Sequence, residues 1–180
     1  MKIDPNIRKV AGKYGLAGGA MIILAFLVFY YIDMQPWRNL VSFILDVVII
    51  AFFLVLAIRE YKVMYRGGEL RFYHGMSIGF LCFFTIAGLY AVFYGIFINF
   101  IEPDFLQNYI VLAIEDYEGR KELLTENFEG DPEEFFQQQI EGIKAITKSK
   151  LVLDAFFKRT LIGFFLTPMI SVVFRTPQRP

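Results

Sequence analysis

Cysteine and histidine are almost missing from this chain: Cys82 and His74 are single representatives among 180 residues. One cysteine excludes a disulfide framework and a cysteine-based zinc site. A metal enzyme or an intramembrane metalloprotease would need ligands the chain does not have. Excess charge is missing too, because 18 basic residues meet 18 acidic ones. With no basic stripe to meet phosphates, nucleic acid is excluded as a partner, and so is a disordered or collagen-like chain. No phosphate loop, dinucleotide fingerprint or HExxH occurs. The glycines of Leu16-Ala17-Gly18-Gly19 do not follow a strand, so they do not read as a phosphate cradle. No catalytic residue, cofactor or metal site is therefore assigned.

Apolar residues are abundant instead. They make up 56% of the chain before glycine is counted, with 21 Phe against a single Trp. Soluble domains reach about 45–50% with glycine included, and the mean hydropathy of +0.49 points the same way. The composition is that of an integral membrane protein. A helix needs about 20 largely apolar residues to cross a hydrocarbon core of about 30 Å. Residues 16–32, 40–58 and 76–101 supply three such runs, of which only the second carries a charge, Asp46. A fourth, 155–174, reaches full length by including Lys158 and Arg159, whose long side chains can snorkel toward the headgroups. The first run ends in Tyr30-Tyr31-Ile32-Asp33 without a small-residue cleavage site and reads as an uncleaved anchor.

The expected fold is an all-α integral membrane protein with four transmembrane helices and an extracytoplasmic helical hairpin between helices 3 and 4. Lys2, Arg8, Lys9 and Lys13 precede the first span, and Arg59, Lys62, Arg66 and Arg71 lie between the second and third. Arg175 and Arg179 follow the last, whereas the short first loop has only Arg38. By the positive-inside rule both termini are expected to be cytoplasmic and residues 102–150 outside, and the expected location is the cytoplasmic (inner) membrane. Trp37 and Tyr30-Tyr31 would then mark the outer interface, and Tyr14, Tyr61 and Tyr65 the inner one.

Residues 102–150 show helical spacing rather than linker composition. Phe105, Leu106, Tyr109, Ile110, Ala113 and Tyr117 recur as one helix would place them. Gly130, Asp131, Pro132, Glu133 and Glu134 read as a helix stop followed by a new, acid-capped start. A second amphipathic helix places Phe136, Ile140, Ile143 and Thr147 on one face and runs on into the fourth span. The acids Glu129, Asp131, Glu133 and Glu134 lack the spacing of a calcium loop, which favours capping over cation binding.

Within the spans, small residues recur every four positions: Gly15 and Gly19 in the first, Ala87, Ala91 and Gly95 in the third, Gly163, Thr167 and Ser171 in the fourth. Such stripes let helix backbones approach closely. Packing inside the bundle is the leading reading, and contact with a second copy as a homo-oligomer competes with it. Asp46 needs a partner at its depth, and the fourth span offers Lys158 and Arg159 for an ion pair. The pair would fix the register of two helices, or Asp46 would serve as a proton or cation site. Cys82 reads as a packing residue, Pro168 as a tolerated kink, and His74 as a solvated juxtamembrane histidine rather than a pH sensor.

The stretch Tyr61-Lys62 through Gly67-Gly68-Glu69-Leu70-Arg71-Phe72, with Asn99-Phe100-Ile101-Glu102-Pro103-Asp104-Phe105, resembles the DUF4199 family of small bacterial membrane proteins. The likeness runs from Tyr14-Gly15 to the Gly163-containing span, and departs from the family pattern at Tyr73-His74-Gly75 and Pro168. It implies four membrane helices with an extended segment before the last, and transfers no activity to any position. The function expected is a non-catalytic multi-pass membrane subunit or scaffold of a bacterial cell-envelope complex. Its partners would be the lipid bilayer and other membrane or envelope proteins. The alternative is a small transporter, channel or lipid-handling protein.

Overall fold

A computed structural model describes residues 4–34, 39–121 and 131–177. Every regular element among them is helical. In chain order these are α1 (Pro5–Tyr31), α2 (Leu40–Arg66), α3 (Phe72–Ile96, continuing as a π-turn over Phe97–Ile101), α4 (Phe105–Glu118), α5 (Pro132–Lys144) and α6 (Lys148–Phe174). Four of them, α1, α2, α3 with its π-turn, and α6, are long and apolar enough to cross a membrane.

Each of these helices overruns the apolar stretch that announces it, because caps rather than hydropathy decide where a helix ends. Asp4 caps α1 by accepting from the Asn6 N–H at 2.9 Å, with Pro5 in the first turn. Asn39 does the same for α2, accepting from the Val41 N–H at 2.9 Å. That helix continues to Arg66, where Gly67 takes the left-handed conformation (φ 57°) and the Gly68 N–H donates back to the Lys62 carbonyl at 2.9 Å. This six-to-one closure needs a residue without a Cβ penalty at positive φ.

The chain divides into two compact units, Met1–Phe93 with Asp154–Pro180, and Tyr94–Leu153. In the first, Ile22, Ile50, Leu54, Ile58, Ile78 and Ile86 are fully buried. The outward faces are as apolar as the interior: Leu24, Val28, Phe52, Phe165, Met169 and Val173 are all exposed. A surface of that kind is unfavourable in water and ordinary in lipid. Pro168 stands within α6, which continues unbroken on both sides of it.

In the second unit Phe105 is buried against the edges of Tyr94 and Phe97. Tyr117 of α4 meets Phe136 of α5, which is buried together with Ile140. The Asp131 side chain caps α5 by accepting from the N–H groups of Glu133 and Glu134 at 2.9 and 3.3 Å. Glu133 pairs with Lys121 at 2.6 Å, and that ammonium holds its carboxyl below the usual range. The expected helix stop at Gly130 and the acid Glu129 lie outside the described residues, as do Trp37, Arg38, Lys2 and Arg179.

The second amphipathic helix does not run on into the fourth span: α5 ends at Lys144, and α6 starts afresh at Lys148. Thr147, expected on the apolar face, is exposed and accepts instead from the Lys150 N–H at 3.3 Å. A threonine oxygen that caps a new helix competes with the helix that would otherwise pass through it. Asp131→Ala should cost α5 about 1 kcal/mol of local stability, seen as faster amide exchange at Glu133 and Glu134 with little change elsewhere.

Candidate functional site

Two of the polar side-chain clusters in the first unit contain residues singled out in the sequence. The deeper one is centred on Asp46, six residues beyond the start of α2, or about 9 Å along a helix rising 1.5 Å per residue. Arg159 of α6 reaches it with Nη2 at 2.6 Å from Oδ2, the two side chains being 10% and 13% exposed. The same guanidinium lies 3.4 Å from the centre of the Tyr90 ring of α3 and donates through Nη1 to the Ala155 carbonyl at 3.2 Å. One planar cation thereby touches a carboxylate on α2, an aromatic face on α3 and its own helix. Lysine, a point charge, cannot do all three at once. Lys158, the other basic candidate, pairs with Asp154 one turn earlier at 3.4 Å, with both side chains exposed. Adjacent residues on a helix point about 100° apart, so only one of the two can face α2. Nothing in the sequence singles out Tyr90 except a hydroxylated ring in a span dominated by Phe and Ile.

Small residues form two seams around α3. On one side α1 lies against it: a Cβ at Gly15 would fall 2.5 Å from Thr85 Cβ and 3.0 Å from the Cys82 carbonyl oxygen, and one at Gly19 would fall 2.8 Å from Leu89 Cδ2. On the other side α3 meets α6 in antiparallel order. Gly75 faces Ser171, Gly79 faces Thr167, and Phe83 fills the space at Gly163. Thr167, Ser171 and Ala87 are buried, and Ala91 is half-buried. Gly95 has Val152 at 3.7 Å from a notional Cβ, an ordinary contact that does not demand glycine. Gly18, wedged against Ile86 and Phe53, and Gly75 and Gly79 complete these seams. They escaped notice because a packing partner on another helix cannot be read from spacing within one.

The second cluster joins the start of α1, the end of α2 and the start of α3. The Tyr61 hydroxyl donates to Asp4 Oδ2 at 3.0 Å and lies 3.1 Å from Arg66 Nε, which donates to it. Arg66 Nη2 is 2.9 Å from His74 Nε2 and 3.7 Å from Asp4 Oδ2. The Asn6 N–H and the Tyr61 hydroxyl hold the Asp4 carboxyl below the usual range. Nearby, the Leu70 N–H donates to Thr176 Oγ1 at 3.0 Å, and Lys62 donates to the Phe174 carbonyl at 2.9 Å. The reading of His74 as solvated is wrong: it is 6% exposed, with Tyr73 and Tyr61 rings at 4.1 and 5.8 Å. The helical turn that begins at Phe72 turns this side chain inward although it borders a basic loop.

Among the described residues, no three His, Cys, Asp or Glu side chains converge as metal ligands. The second unit carries an open groove lined by Pro103, Leu106, Ile110 and Val111, with Asp104 and Lys148 beside them.

Comparison with curated proteins gave no match, and neither did comparison with solved structures. A family model described as "Protein of unknown function (DUF4199)" matches residues 13–176. A match over that much of the chain places this protein, with its four helices long and apolar enough to cross a membrane, in the DUF4199 family.

Proposed function

We propose that the protein is a non-catalytic membrane subunit or scaffold of a bacterial cell-envelope complex. It lies in the inner membrane with both termini cytoplasmic. Residues 102–150 form an extracytoplasmic helical hairpin whose groove beside Ile110 and Val111 receives partner proteins. The observation that supports this reading is the pairing of Asp46 with Arg159. The one acid deep in α2 is engaged in joining helices, whereas a transport route would present such a group to a water-filled path.

Affinity purification of the full chain in mild detergent, followed by mass spectrometry, tests the assignment. A stoichiometric envelope partner is the expected result. A chain that elutes alone and carries ion or solute flux in reconstituted vesicles would overturn it in favour of a transporter. The orientation has its own measurement: Gln138→Cys should react with an impermeant maleimide in intact spheroplasts and Gly68→Cys should not. The reverse pattern would invert the topology.

A further inference from the structure

We propose that His74 is a proton-operated latch closing one end of the first unit, and that acidification of the water bathing that end releases it. The geometry fixes the state of the ring. Arg66 Nη2 is a donor and nothing else, so at 2.9 Å from Nε2 it requires a lone pair there. The imidazole is therefore neutral, with its proton on Nδ1, and Nδ1 has no hydrogen-bond partner.

A proton taken from water onto Nε2 removes the acceptor and sets an imidazolium against a guanidinium. The groups facing the ring offer little compensation. From the start of α1 comes Asp4, already accepting from Asn6 and Tyr61. From α2 come Tyr61 and the cationic Arg66; from the residues entering α3 come Arg71 and Tyr73. The end of α6 reaches the neighbouring Gly75 with Ser171, which carries no charge. One carboxylate already engaged thus stands against two cations, and a third at 6% exposure is poorly screened by water. The charged ring must leave. Its departure leaves Arg66 to Tyr61 and Asp4 and parts the last turn of α2 from the first turn of α3.

Because the open form takes up one proton that the closed form does not hold, the open population grows by up to tenfold for each unit the pH falls through the imidazole range. Asp4 does not confuse that window, since its carboxyl titrates below the usual range. His74 is the chain's single histidine, which makes the titration of one ring directly observable.

The test uses the full chain in lipid nanodiscs with nitrogen-15-labelled histidine. At pH 7.5 the spectrum should show a neutral ring protonated on Nδ1. Between pH 7.5 and 5.5 the ring should become charged as the amide protection factors of Gly68 and His74 fall together. The melting temperature should drop over the same range. His74→Gln keeps an oxygen for Arg66 and does not titrate, so its melting temperature should stay level. A ring already charged at pH 7.5 overturns the proposal, and so does protonation without loss of protection. An equal pH dependence in His74→Gln does the same. If His74→Gln does not fold, the wild-type titration alone decides.

Discussion

Gly163→Ala lowers the stability of the helical bundle by about 1–3 kcal/mol, the usual cost of forcing atoms into a filled core. The methyl group would fall on Cβ and Cγ of Phe83, the part of that side chain nearest its backbone. Phe83 cannot rotate aside, because turning about χ1 does not move Cβ; α3 and α6 must separate instead. Gly15→Ala is expected to behave alike, meeting Thr85 Cβ and the Cys82 carbonyl oxygen. Gly19→Leu also destabilises, although alanine there meets chiefly the flexible end of Leu89. The controls are Gly12→Ala and Gly88→Ala, where the added atom meets nothing. These should gain roughly 0.5–1 kcal/mol from helix propensity. Thermal melting in detergent compares the four alanine variants directly. Equal behaviour of Gly163→Ala and Gly88→Ala would mean that the seam between α3 and α6 is loose.

Asp46→Asn has the other large effect. Removing one partner of a buried ion pair leaves the second charge without compensation and typically costs about 3–5 kcal/mol. Arg159 would keep the Tyr90 ring and the Ala155 carbonyl but lose its counter-charge. The double variant Asp46→Asn with Arg159→Gln should recover a substantial part of the loss, since it removes the stranded charge as well. Lys158→Gln should change little, because an exposed pair contributes roughly 0–1 kcal/mol. Melting of the four proteins, with flux measured in reconstituted vesicles, separates the two roles of the pair. Lost stability with rescue in the double variant supports a register function. Normal stability with lost flux assigns Asp46 to transport, and no change in either would count against both roles.

How much of this was legible beforehand depends on whether a property is local. Run length and charge spacing are local, so four span-like helices and the acid-capped start at Asp131 follow from composition and order alone. An acid in an apolar run also demands a counter-charge wherever the chain goes, which is why Asp46 could be matched with Lys158 and Arg159 before any coordinates. Choosing between two adjacent basic residues requires the rotation of α6 relative to α2, and rotation is set by the packing of whole helix faces. The same holds for the glycines. Gly12 and Gly163 look alike in the chain, yet one faces open space and the other Phe83.

The end of α5 shows the limit in a second form. The apolar spacing of Phe136, Ile140 and Ile143 is compatible with a helix continuing through Thr147, and hydropathy has no term for a hydroxyl that prefers to cap. His74 shows it in a third, since a polar residue beside Arg71 reads as solvated until the fold brings Tyr61 and Arg66 across it. The four segments long and apolar enough to cross a membrane were thus determined by the sequence itself, because transfer from water acts on each segment separately. Which charge pairs with Asp46, which glycines are indispensable and whether His74 meets water were decided by the tertiary structure, because each is a distance between segments that sequence order does not contain.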